Sequence, residues 1–196
     1  MIGKLQLVLY IAFCTLCSAG VTAPDLPDPS RVITDVNTDG KSVFYSGLPV
    51  PVPVVENLNG ALFRLGYITE RPPVSINDET DIDFYEASLE NLPPLVPAGG
   101  GPAVWYIDTP PNASSPLHRT ISIDIVVQLQ GEIELTLDSG ETRLLKTGDL
   151  TIQRAAMHAW RNPSLTEWSR MIGVMSEVQP VVVGNTTITA TLPTAT

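Results

Sequence analysis

The chain has 196 residues and a formal net charge of −10, long enough for one domain with its own core. That acidity leaves no electrostatic attraction for nucleic acid or for an anionic lipid surface, so neither is expected as a partner. Its two cysteines, Cys14 and Cys17, both fall near the start, so the remainder has no disulfide or thiol chemistry to draw on.

The first segment reads as a leader. A basic "MIGK" precedes the apolar run "LQLVLYIAFCTLC", and small residues follow through "VTA" at Ala23. That order predicts a signal peptide over 1–23, cleavage before Pro24, a secreted or secretory-lumen protein, and no membrane attachment afterwards. With a leader present, "NAS" at Asn112 and "NTT" at Asn185 become glycosylation candidates.

Residues 24–99 read as an N-terminal arm and outer strands. Strands are expected near Val32–Thr34, Ser42–Tyr45 and Ala61–Ile68. The run "SGLPVPVPVVE" cannot sit in a central strand, because proline has no amide to give the ladder. It is expected as an edge arm that reaches a second copy in a homodimer. "DIDFYEASLENL", residues 81–92, is the one segment with helical spacing, and "PPLVPAGGGPA" reads as a loop.

Residues 100–177 hold the densest strand pattern. Strands are expected at Ala103–Asp108, Arg119–Leu129, Glu132–Leu137, Thr142–Leu145, Leu150–Gln153, His158–Arg161 and Glu167–Met175. "LDSGET" supplies a hairpin turn through Gly140, and Gly131 and "TGD" at 147–149 mark two more. Residues 178–196 add a last strand near Thr186–Ala190 and a Thr-rich tail. Many short strands at even spacing predict an all-β barrel or sandwich in a single domain.

The chemistry concentrates in "PLHRTISIDIVVQLQG", residues 116–131. His118, Thr120 and Asp124 share parity, so an extended strand presents them on one face, and Ile121, Ile123, Ile125, Val127 and Leu129 form the other. The only other histidine is His158. Three ionisable groups facing a barrel interior are costly without a purpose, and backbone-satisfied buried histidines are the bland alternative.

These residues fall on two motifs of the cupin superfamily, which the chain resembles over 116–162. The first motif has two histidines one residue apart, then an acid, then a glycine, and its positions here are His118, Thr120, Asp124 and Gly131. The second is matched by "GDLTIQRAAMHAWRN", through Gly148, Asp149, His158 and Asn162. "HRTISID", "GEIEL" and "QRAAMHAWRN" look more narrowly like a small single-domain cupin group frequent in fungi, whose members often accompany polyketide or aromatic metabolism. The resemblance implies an all-β jelly-roll barrel (a double-stranded β-helix) with its core in 100–177.

It also implies a site, with two departures. Thr120 stands where the family usually has its middle histidine, and Asp124 stands for a longer glutamate. His118, Asp124 and His158 remain as a two-histidine, one-carboxylate set for a divalent iron, manganese or zinc ion. Without a metal the same three residues are candidate catalytic acid/base groups, with Asp124 raising the pKa of the histidine it touches. Thr120, Arg154, Trp160 and Tyr106 are candidate substrate contacts; core packing competes for the two aromatic residues and a loop ion pair for Arg154. The leading function is then a lyase or isomerase carrying out dehydration, decarboxylation or isomerisation of a small aromatic or polyketide-like metabolite. A metal-dependent dioxygenase and a secreted binding or storage cupin are the alternatives.

Overall fold

The computed structural model describes residues 26–191. The leader with its cleavage point, both cysteines and the end of the tail lie outside the described residues. In chain order the elements are β1 (Thr34–Val36), β2 (Ser42–Phe44), β3 (Glu56–Leu58), β4 (Ala61–Ile68), α1 (Thr80–Glu90), β5 (Ala103–Thr109), β6 (Ser122–Gln130) and β7 (Ile133–Leu137). They continue as β8 (Thr142–Leu145), β9 (Leu150–Arg154), β10 (His158–Arg161), β11 (Ser169–Glu177), β12 (Val182–Val183) and β13 (Thr186–Thr187). Among the described residues no helix is long and apolar enough to cross a membrane.

Two sheets build the barrel. The larger has the order β3-β4-β5-β11-β6-β9 and the smaller β10-β7-β8, with neighbours antiparallel throughout. Their facing surfaces interdigitate Leu65, Trp105, Val126 and Met171 from the larger sheet with Ile133, Leu135 and Trp160 from the smaller. This is the closed, all-β architecture that the strand spacing predicts. Gly131 makes the tight turn from β6 to β7 at φ +69°; a Cβ there would come within 2.9 Å of the Trp168 carbonyl oxygen, which leaves glycine as the residue that fits.

The helix α1 starts at Thr80, one residue before the expected segment, with Asp81 and Asp83 in its first turn, where the helix dipole favours acids. Its buried Tyr85 donates a 2.7 Å hydrogen bond to the Leu65 carbonyl, pinning the helix to β4. The loop after it is held by the Trp105 indole, which donates to the Leu95 carbonyl at 3.1 Å.

The N-terminal arm lies on its own sheet. On the outer face, Arg64, Asp108 and Arg170 come from β4, β5 and β11 and are all buried. Arg170 grips Asp108 through two bonds, Nε to Oδ1 at 2.5 Å and Nη2 to Oδ2 at 2.7 Å. Each arginine spends its remaining donors on the arm: Arg170 Nη1 to the Pro27 carbonyl at 2.6 Å, and Arg64 to the Val52 carbonyl at 2.6 Å and the Asp28 carboxylate at 2.7 Å. Arg31 also bonds the Tyr85 hydroxyl. The proline-rich run therefore acts as a strap over the sheet, which suits a segment that cannot join a ladder.

Candidate active site

His118 precedes β6 and His158 opens β10, and the backbone joins them. His118 N donates to the His158 carbonyl at 2.8 Å and His158 N donates to the His118 carbonyl at 2.9 Å. Side chains at such paired positions lie on one face, and the ring centroids are 4.3 Å apart with planes at 53°. Both rings are then fixed the same way. His118 Nδ1 lies 3.0 Å from the Pro116 carbonyl oxygen, and His158 Nδ1 lies 2.8 Å from that of Ala156. A carbonyl only accepts, so Nδ1 carries the proton and Nε2 is the free base of each neutral ring.

The two rings differ in surroundings. His118 is half-buried, whereas His158 is 4% exposed and meets Trp160 edge-on at 5.6 Å between centroids. Burial pushes the His158 pKa down to about 4; the Ala156 carbonyl opposes this, and positive charge on His118 adds to the depression. His158 is therefore neutral at physiological pH.

Thr120, Ser122 and Asp124 follow on the same inward face, all buried, as their parity predicts. Ser122 Oγ donates to Thr120 Oγ1 at 2.7 Å. Asp124 is 3% exposed and its Oδ1 has no hydrogen-bond partner in the protein. Burial raises its pKa, and the Ser122 and Thr120 hydroxyls and the charge of His118 pull it back. The expectation that Asp124 lifts a histidine pKa is not met at His158. Burial dominates there, and the close neighbours of Asp124 are hydroxyls.

Among the described residues no three His, Cys, Asp or Glu side chains come close enough to hold one metal ion. The paired histidines offer two Nε2 donors, but Asp124 is not drawn in to complete a set with them. The three-donor metal site implied by the family resemblance therefore does not fit this arrangement.

The other candidates divide. Thr120 and Trp160 join the histidine pair. Arg154 does not: it pairs across the sheet with Ile123, is exposed, and faces outward with it. Tyr106 is also on the outer side, opposite Arg64 and Ile172, while Trp105 takes the inward position. Asn112 and Asn185 are exposed in turns. Asn162 is a staple: its side-chain amide donates to the Thr109 and Glu167 carbonyls at 3.0 and 2.8 Å.

One inward residue escapes the sequence reading. Gln153 of β9 pairs directly with Asp124 of β6, is 4% exposed, and its Nε2 has no partner in the protein. A buried donor thus faces a buried acceptor, neither bonded, on the wall beside the histidines. Alternation along "LTIQR" would have pointed inward to Gln153 rather than Arg154 once the register with Asp124 was known. A shallow concavity lined by Leu95, Val96, Ile121, Glu177 and Ala190 reaches Thr120 at the end of this wall.

No protein-family model matches the chain. It is 42% identical over 159 residues to a phomopsin biosynthesis cluster protein of Diaporthe leptostromiformis, covering 81% of this chain and 84% of that one. It is 35% identical over 159 residues to an oryzines biosynthesis cluster protein of Aspergillus oryzae, covering 81% and 88%. A cupin-domain-containing oxidoreductase of Hypocrea virens is 35% identical over 176 residues, covering 87% of this chain and 89% of its own. Among solved structures, a Schizosaccharomyces pombe cupin domain aligns at 15% identity over 78% of this chain and 90% of its own, with a TM-score of 0.46. Two closed antiparallel sheets, a histidine from each of two motifs meeting on the inner wall, and relatives of this identity and coverage lead to one conclusion: the chain belongs to the cupin superfamily.

Proposed function

We propose that the chain is a cupin enzyme of fungal secondary metabolism that moves protons on a small molecule, as a lyase or isomerase. The observation that carries this reading is the contact between His118 and His158. The rings are close enough that charge on one disfavours charge on the other, so the pair is built to share a single proton, with the buried His158 as the neutral, basic partner. Dehydration and isomerisation need that combination. One Nε2 takes a proton from carbon, the electron pair forms the new double bond, and the other ring protonates the leaving hydroxyl or the acceptor atom. Thr120, Ser122, Asp124 and Gln153 supply the polar wall that orients the substrate. Cluster-encoded relatives support the metabolic setting, and the aromatic or polyketide-like substrate class follows from the resemblance.

A second reading, oxidation, is favoured by the oxidoreductase names of several relatives. Inactivating the pair as His158→Ala in the producing organism and comparing metabolites by mass separates the two. Under the proposal, the compound that accumulates equals the missing product in mass, or exceeds it by one water or one carbon dioxide. A difference of two hydrogens or of added oxygen overturns the proposal in favour of oxidation, and an unchanged profile favours a binding protein. Secretion belongs to the same proposal, and an intact Met1 on the mature protein, read by mass spectrometry, would refute it.

A further inference from the structure

We propose that Asp124 and Gln153 together select the substrate by reading a neutral cis-amide edge, that of a lactam or a primary carboxamide. Their role rests on the histidine wall being the substrate site. The two residues are direct partners across β6 and β9, so their side chains leave one face of the sheet side by side, about 5 Å apart at Cβ. Asp124 is 3% exposed and Gln153 is 4% exposed. Neither Asp124 Oδ1 nor Gln153 Nε2 has a hydrogen-bond partner in the protein. Ser122 donates its hydroxyl proton to Thr120 rather than to Oδ1. A buried donor or acceptor without a partner costs about 1–3 kcal/mol, and here one of each stands on adjacent strands. A single occupant that offers an N–H to Asp124 and a carbonyl to Gln153 satisfies both at once.

Charge and geometry narrow the occupant. An anion is disfavoured, because it would meet the Asp124 carboxylate with no cation to offset it. The buried arginines, Arg64 and Arg170, are paired with Asp108 on the outer face of the sheet. An ordinary trans peptide is also unsuited, since its C=O and N–H point in opposite directions and cannot both meet one wall. A lactam or a primary carboxamide carries the two groups on one edge. Gln153 Nε2 then donates to the carbonyl, and Asp124 Oδ1 accepts the N–H. His118 is half-buried and is the least covered member of the group, so an occupant reaches the pair past that ring.

The test is binding to the isotope-labelled full chain, read by NMR with δ-valerolactam as the probe. The lactam should shift the side-chain amide resonances of Gln153 saturably. N-methyl-δ-valerolactam lacks the donor and should bind at least about tenfold more weakly, and the anion valerate should not bind. Gln153→Met should weaken the lactam about tenfold while keeping its preference over the N-methyl form. Asp124→Val should abolish that preference, a change in selectivity that a loss of packing alone would not produce. Should either variant fail to fold, the comparison of the three probes on the unaltered chain still decides. Equal binding of the two lactams overturns the proposal, as does binding of valerate in preference to them. A Gln153 amide that no probe moves also overturns it, and leaves the pair to a bridging water. Binding is read without turnover. Lactam recognition together with an unchanged metabolite profile in His158→Ala would therefore uphold this proposal and sink the proton-transfer reading alone.

Discussion

The two halves of the large sheet's outer face reverse the usual placement of charge and oil. Over β4, β5 and β11 an ion cluster, Arg64, Asp108 and Arg170, is sealed from water, while over β6 and β9 isoleucines and leucines stand exposed. What differs is the cover. The strap brings carbonyl oxygens from Pro27 and Val52 and the Asp28 carboxylate, which satisfy the guanidinium donors left over after Asp108. Buried charge is tolerated where every donor has an acceptor, and the bare half has no such strap. The inner sides reverse too: Trp105 and Leu65 back the charged half, whereas Asp124 and Gln153 back the apolar one.

The largest test of this contrast removes the shared anion. Asp108→Asn leaves two buried guanidinium groups without their counter-charge and should cost about 3–5 kcal/mol, read from urea unfolding. A cost near zero would mean that the strap alone neutralises both arginines.

Acid should unfold the inner wall next. The folded His158 pKa of about 4 lies below its ordinary 6.5, so the unfolded chain binds the proton more readily. The resulting stability is full above pH 6.5 and is lost as pH falls toward 4, a change of about 3 kcal/mol. His158→Gln should flatten this part of the stability–pH curve; an unchanged slope would assign it elsewhere.

Asp124 should behave in the opposite sense. Its pKa is raised by burial, so its charged form is a burden above the folded pKa and none at low pH. Asp124→Asn should raise Tm at neutral pH, leave it unchanged in acid, and lower turnover on the order of a hundredfold. A fall in Tm at neutral pH would show the carboxylate to be paired.

The smallest effect belongs to the rim of the strap. Asp28 is 59% exposed where it meets Arg64, so Asp28→Asn should cost only about 0.2–1 kcal/mol, and less in high salt. A loss as large as that of Asp108→Asn would erase the distinction between buried and rim partners.

Strand identity was legible wherever parity and punctuation agreed, as in Ala61–Ile68, Thr142–Leu145 and His158–Arg161, whose ends match. The strand expected from Arg119 starts instead at Ser122, because His118 and Arg119 make single bridges to His158 and Thr191 rather than a ladder. The short β3 and β12 carried no signal, since three and two residues cannot show a period. In the site, parity placed His118, Thr120 and Asp124 correctly. Arg154 and Tyr106 were chosen for their chemistry, but Gln153 and Trp105 hold the inward positions beside them. Which of two neighbours turns inward depends on register, and register belongs to a pair of strands that one stretch of sequence does not contain.

The position of β11 has a consequence for how the protein is made. It is the central partner of the large sheet, seated between β5 and β6, yet its residues, Ser169–Glu177, are among the last of the fold to be synthesised. Until they emerge, the ladder edges of β5 and β6 that face one another have nothing between them. A ribosome stalled before Ser169 therefore holds two unpaired inner strands, so closure of the barrel waits for β11 to emerge, and chaperone demand should peak just before it.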